Sequence, residues 1–334
     1  MKNMLAALVS AGVFGVAHSV AQSPAEVDKH IAAATAAAGT EHAGMVTRLC
    51  PAASPATPAA RGGGRGGGRR GSGLPGGGGP PAPPPRDSWH AEPVKVFDNF
   101  SFVGMTEFSS WAVTTSQGII IIDPVFDYSV EDEVVEGLEK LGLNPSDIKY
   151  VLVSHGHLDH AGGAKLLQER FGARLLMAAA DWDMLERQNP TWKPKRDMVV
   201  TDGQTLTLGD TTLTMYLTPG HTDGTISTLI PVRDGSERHV AALWGGTLFN
   251  FGPDRARFAS YAASAARFRD IVTKAGARVL LSNHTDYDGS KTKLPAMATR
   301  KPGGPHPYVV GTDSVRRYLT VANECAQAAL AGLP

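Results

Sequence analysis

The chain has 334 residues, enough for one large domain or two small ones, and its 42% apolar content can bury a sizeable core. Lysine plus arginine (32) balance aspartate plus glutamate (32), so net charge proposes neither a nucleic-acid nor a membrane-surface partner. Beyond the extreme N-terminus no apolar run is long enough to cross a bilayer.

Lys2, the apolar stretch Met4 to Val16 and the small-x-small triplet Ser19-Val20-Ala21 read as a signal peptide over residues 1–21. The expected location is periplasmic or secreted, with no membrane association after cleavage. Residues 22–50 form an arm in which alanine-rich Ala25 to Ala43 predicts one helix packed loosely on the body. Residues 51–88 form a linker of Gly, Pro, Ala and Arg, including GGGRGGGRRG, which cannot offset the entropy of being ordered. Its Gly/Arg repeats resemble RNA-binding segments, but export argues against a nucleic-acid partner. Cys50 and Cys325 have neither metal nor redox spacing. In an oxidising compartment they can pair and tie the arm to the last helix; otherwise they are unrelated thiols.

The catalytic domain is expected over residues 89–334. VKVFDNFSFVGM, the stretch around SSWAVTTS, and GIIIIDPV read as successive strands. Ser129 to Leu141 has helical spacing, KYVLVS is a buried strand, Ala164 to Phe171 a helix, and RLLMAAA a strand before the short helix DWDMLERQ. A meander follows from VVTDGQTLTLGDTTLTMYLTP, then the strands TISTLIPVR and HVAALWGG. Ala262 to Ala275 reads as a helix, RVLLSN as a strand, and Ser314 to Leu330 as the final helix. Two batches of strands, each followed by helices, predict an α/β (α+β) fold with helices outside two packed sheets, an αββα sandwich.

Directly after KYVLVS comes His155-Gly-His157-Leu-Asp159-His160. Alternation places His155, His157 and Asp159 on one side, a turn into a helix brings His160 round, and Gly156 lets the backbone bend between ligands. Three imidazoles and a carboxylate this close do not suit one tetrahedral zinc, so two metals sharing the cluster are expected. His221, in Thr-Pro-Gly-His-Thr, and His284, in Leu-Ser-Asn-His, both sit at strand ends, where loops on a rigid scaffold carry active-site groups. Beside the cluster they complete the ligand set. His90, His239 and His306 lie in or beside turns, and His30 and His42 lie in the arm; ordinary structural roles are expected for them.

From about Trp89 onward these residues resemble the metallo-β-lactamase superfamily, whose HxHxDH signature appears as SHGHLDH. The pattern is most similar to subclass B3 metallo-β-lactamases. The resemblance implies that His155, His157 and His221 hold a first zinc, and Asp159, His160 and His284 a second. In WGGTLFN, Thr247 stands where subclass B1 enzymes carry a cysteine ligand, and Asn250 where they carry a substrate-binding lysine. Gly246 stands where hydroxyacylglutathione hydrolases and lactonases carry a metal-bridging aspartate. Asp223 replaces a proline often found after Gly-His-Thr, and puts an extra acid near the mouth.

The reading that follows is a zinc-dependent β-lactamase acting as a monomer on a small molecule. Asp159 orients the attacking water, which zinc makes acidic near neutral pH, and Thr247 and Asn250 contact substrate or support the ligands. Ser110 and Trp111 are candidates to line the groove, a core position being the alternative for Trp111. Two other readings compete: a dinuclear-zinc hydrolase of a lactone, thioester or ester, and an exported binding protein with structural zinc. Structural zinc sites are closed and usually thiolate-rich, which disfavours the last.

Overall fold

In the computed structural model residues 23–51, 82–301 and 303–334 are described. The signal peptide and the linker over 52–81 lie outside the described residues. Two helices form the arm, α1 (Pro24–Ala38) and α2 (Ala43–Leu49), where one was expected. The break falls at Gly39, whose φ of +54° suits glycine and not the preceding alanines. The linker's last residues, from Ala82, belong to the folded body: Arg86 pairs with Asp132 at 2.7 Å.

The first sheet runs β1 (Val94–Phe97), β2 (Phe100–Phe102), β3 (Trp111–Thr115), β4 (Gly118–Ile122), β5 (Ile148–Leu152), β6 (Arg174–Ala178), β7 (Met198–Val200), in that spatial order. The first four strands are antiparallel neighbours, and β4 to β7 are parallel. A π-helical turn at Glu131–Val135 leads into α3 (Glu136–Lys140), and α4 (Leu158–Ala161), α5 (Ala164–Phe171) and α6 (Ala179–Gln188) follow. The second sheet is β8 (Thr205–Leu208), β9 (Thr211–Leu217), β10 (Ile226–Asp234), β11 (Glu237–Trp244) and β12 (Val279–Ser282), in spatial order β12-β11-β10-β9-β8. Outside it lie α7 (Arg255–Lys274) and α9 (Thr312–Ala331), while α8 (Ser290–Thr299) packs on β1 with Leu294 and Met297 against the core between the sheets. The expected meander is thus split, since Met198–Val200 joins the first sheet. Helix α8 was unanticipated; it carries Pro295 in its interior.

Period-two alternation creates the layers. On β4, Ile120 and Ile122 face the second sheet, while Ile119 and Ile121 face α3 and α5. On β11, Ala241 and Leu243 point between the sheets, and Ala242 and Trp244 point toward α7 and α9. Each sheet is therefore apolar on both faces and covered by helices on its outer one, the αββα arrangement. Ala34 and Ala38 of α1 are fully buried against α9, so the arm is closely packed, correcting the expectation of loose contact. Cys50 and Cys325 form a disulfide across this contact, with Cα atoms 4.4 Å apart. Among the described residues no helix is long and apolar enough to cross a membrane.

Candidate metal centre

The carboxyl ends of β4, β5, β9, β11 and β12 meet at one edge of the sandwich, and their loops supply the site. Strand β5 stops at Leu152, so the cluster lies in a turn and a short helix instead of an extended chain. His157, with extended backbone, precedes α4, which carries Asp159 and His160. His221 comes from the loop between β9 and β10, and His284 follows β12.

The structure brings all six expected ligands together. His221 Nε2 lies 3.0 Å from His155 Nε2 and 3.1 Å from His157 Nδ1. His160 Nε2 lies 3.3 Å from His284 Nε2 and 3.2 Å from Asp159 Oδ2, which is 3.8 Å from His284 Nε2. Such spacings match the edges of a tetrahedron whose centre-to-nitrogen bonds are about 2.0–2.1 Å. Donor atoms of His155, His157 and His221 lie within 4.8 Å of one another, as do those of His155, Asp159 and His160. His155 is thus close to both halves of the cluster.

Anchors set which nitrogen faces inward. His155 Nδ1 bonds to the Gly245 carbonyl at 2.9 Å and His221 Nδ1 to the Leu248 carbonyl at 2.6 Å, leaving both Nε2 lone pairs for a cation. Asp123 accepts from the Ser154 amide (2.6 Å) and hydroxyl (2.7 Å), and its Oδ2 lies 3.2 Å from His160 Nδ1 in ion-pair contact. Asp123 and Val125 have φ of +59° and +50°. For a β-branched valine this is strained backbone, beside a functional site where strain is commonly stored.

Burial drives the electrostatics. It pushes His155 well below the usual imidazole range, helped by its histidine neighbours, and lowers His157. Burial, with nearby imidazoles, takes His221 and His284 down to about 3. Burial opposes the charge on His160 too, but Asp159 and Asp123 outweigh it and push the ring up to about 10. Burial likewise works against the Asp159 carboxylate, yet His160 and His284 hold it below its ordinary range. Four imidazoles held neutral, a fifth that must give up its proton to a cation, and an ionised carboxylate are chemically fitted to a transition-metal ion.

Aromatic rings flank the cluster. Phe108 lies 5.1 Å from the His284 ring, Phe126 4.9 Å from Phe108, and Tyr128 5.0 Å from Phe126. Beside the His221 loop, Phe251 packs 4.9 Å from Phe258 and carries the Arg257 guanidinium 4.4 Å above its ring. Arg257 donates to the Gly220 and His221 carbonyls.

Other expected positions fall differently. Thr247 is buried, its hydroxyl 3.0 Å from that of Ser282 and its carbonyl accepting from Tyr261, so it lies beneath the site and does not line a groove. Asn250 and Asp223 are exposed. Ser110 and Trp111 are fully buried, Trp111 stacked 4.8 Å from Phe100 in the inter-sheet core, which removes both from the groove. A side chain at Gly246 would put its Cβ 2.5 Å from His221 Cβ and 3.0 Å from Thr225 Cγ2. Two acids escaped the sequence reading: Asp123, whose only signal is that it closes the isoleucine run of β4, and Asp181. Asp181 accepts from the Gly156 amide, the Thr222 hydroxyl and the Gly224 amide; burial raises its carboxyl, against those three bonds.

Comparison with known proteins agrees with this geometry. The family model described as the metallo-β-lactamase superfamily matches residues 109–234. A hydroxyacylglutathione hydrolase of Acidiphilium cryptum is 32% identical over 193 residues, covering 54% of this chain and 70% of that protein. One from Mesorhizobium japonicum is 28% identical over 144 residues, 41% of this chain, and only half of that relative's length is spanned. Among solved structures, the subclass B3 metallo-β-lactamase BJP-1 of Bradyrhizobium japonicum has a TM-score of 0.59 at 30% identity, covering 70% of this chain and 91% of that one. The metallo-β-lactamase FEZ-1 of Legionella gormanii, at 24% identity and a TM-score of 0.61, covering 70% and 94%, shares the fold. With five histidines and an aspartate converging on an αββα frame and a family-level match in sequence, the chain belongs to the metallo-β-lactamase superfamily of hydrolases.

Proposed function

We propose that this protein is a dinuclear zinc β-lactamase of the B3 kind, exported to the periplasm or beyond and acting as a monomer on small molecules. The observation that carries this reading is Gly246. The resemblance gives thioester and lactone hydrolases a bridging aspartate there, and His221 leaves no room for one. His155, His157 and His221 would hold one zinc, and Asp159, His160 and His284 the other. Bound zinc supplies Lewis acidity toward a carbonyl and makes water acidic near neutral pH. Asp159, kept ionised, accepts a hydrogen bond from the attacking water and aims it. Main-chain carbonyls of Gly245 and Leu248 hold the imidazoles of His155 and His221 in one tautomer. The rings of Phe108, Phe126 and Tyr128 offer an apolar surface to the substrate and displace bulk water from one flank.

A second reading, hydrolysis of an acyl-glutathione thioester, is favoured by the 32% identity to a hydroxyacylglutathione hydrolase. Steady-state assay of the zinc-loaded protein on nitrocefin, a penicillin, a carbapenem, a hydroxyacyl-glutathione and an acyl-homoserine lactone separates the two. Lactam turnover well above the others is expected. Turnover of the thioester without any lactam would replace the first reading by the second.

A further inference from the structure

We propose that Asp181 is a positioning residue that locks the His221 loop against the loop bearing His155 and His157, and thereby sets how tightly those three histidines hold their metal ion. The inference rests on the zinc reading above. Asp181 lies in the first turn of α6, 1% exposed, and touches none of the six ligands' side chains in a hydrogen bond. Its Oδ2 accepts from the Gly156 amide at 2.8 Å and the Thr222 hydroxyl at 2.8 Å, while Oδ1 accepts from the Gly224 amide at 3.1 Å. Gly156 stands between His155 and His157, and Thr222 follows His221. One carboxylate therefore pins the backbone on both sides of the first triad, although the two loops are 60-odd residues apart and spring from different sheets.

The glycines are part of the device. A Cβ at Gly224 would lie 2.7 Å from Asp181 Cγ, and one at Gly156 would lie 3.3 Å from Asp181 Cβ. A side chain at Gly224 would collide with the carboxylate itself, and one at Gly156 would crowd Asp181 and the Met184 methyl. Thr222 is fixed further by Thr225, whose hydroxyl accepts from the Thr222 amide at 2.9 Å. Bonds to an ionised acceptor are the stronger kind, and three donors on one carboxylate resist shear between the loops. The cost of bringing three ligands together is then met in folding, and a metal ion meets a prepared site. Asp123 faces His160 of the second triad as well as holding Ser154 before His155, whereas no Asp181 hydrogen bond reaches Asp159, His160 or His284.

The test uses metal-free full-length protein titrated with zinc against a chromogenic chelator. A His284→Ala background leaves only the first triad complete, and a His221→Ala background only the second. Asp181→Ala is expected to weaken zinc binding about 10–100-fold in the first background, the usual effect of losing such support, and to leave the second unchanged. Asp181→Asn, which keeps one acceptor oxygen, is expected to fall between, and Thr222→Val to act in the same direction. These two milder variants carry the test if Asp181→Ala does not fold. Wild-type affinity in all three variants, or equal weakening in both backgrounds, overturns the proposal. A wild-type protein that takes up no zinc overturns the metal reading itself.

Discussion

The three-histidine triad and the Asp-His-His triad share one edge of the sandwich but are anchored by different chemistry. In the first, His155 and His221 turn their Nδ1 atoms to main-chain carbonyls. In the second, His160 faces Asp123 on one nitrogen and Asp159 on the other. A carbonyl dipole fixes a tautomer and leaves the ring neutral; a buried carboxylate draws a proton to the ring it orients. Before metal binds, the first triad is therefore a set of open lone pairs, and the second already holds a positive charge on His160.

The strongest way to break this contrast is at Asp159. Asp159→Ala is expected to lower kcat/KM by about 10³-fold on the best substrate of the panel, within the range for loss of a proton-handling group. Activity equal to wild type would remove Asp159 from the mechanism and favour a structural zinc. Asp123→Asn attacks the anionic side directly through His160 and reaches the first triad only through Ser154, the residue before His155. Zinc affinity should drop about 10–100-fold in the His221→Ala background and by less in the His284→Ala one. Equal losses in both would show that the triads are not separately anchored.

Acidity sharpens the contrast next. In metal-free protein, burial and neighbouring imidazoles hold His221 and His284 at about 3, below their unfolded value of about 6.5. Their depressed values favour the folded state above pH 6.5, and that stability is lost as pH falls toward 3. His160, raised to about 10 against its burial by Asp159 and Asp123, contributes stability fully present below pH 6.5 and lost as pH rises through 10. The thermal midpoint in the presence of chelator should therefore peak near neutrality and decline on both sides. A flat profile from pH 5 to 7 would contradict the neutral His221 and His284. The smallest effect is expected at Asn250, exposed outside both triads: Asn250→Ala should change stability by less than about 0.5 kcal/mol and leave both zinc affinities unaltered.

What was legible in the sequence follows from how local each signal is. Four donors in six consecutive residues announce a metal site without tertiary information. His221 and His284 were readable because each follows a strand within a few residues, in the loop at its end. Asp123 and Asp181 were not, because a single acid becomes an anchor only when distant amides converge on it. Thr247 and Asn250 were inferred from position alone, and position along the chain says nothing about whether a side chain faces a groove or the core. Layer order was readable from alternating apolar runs. Three-residue Met198–Val200 is too short for its period to choose a sheet, and Pro295 with a polar surround hid α8. Helix α7 begins at Arg255, seven residues before the expected Ala262, because RARFASY carries its apolar positions among arginines; Asp254 caps it by accepting from the Arg257 amide.

The disulfide gives the molecule a topology that the fold alone does not. Joining residues 275 positions apart makes everything from Cys50 to Cys325 a covalent ring, with the arm helices α1 and α2 and the last turns of α9 as its tails. A single peptide-bond cleavage anywhere in that ring, including the Gly/Pro/Arg-rich stretch, yields a nicked protein of unchanged mass apart from one added water. On a denaturing gel such a product would separate into two pieces only after reduction. Proteolysis between the arm and the catalytic body would thus leave α1 and α2 attached to the face they cover.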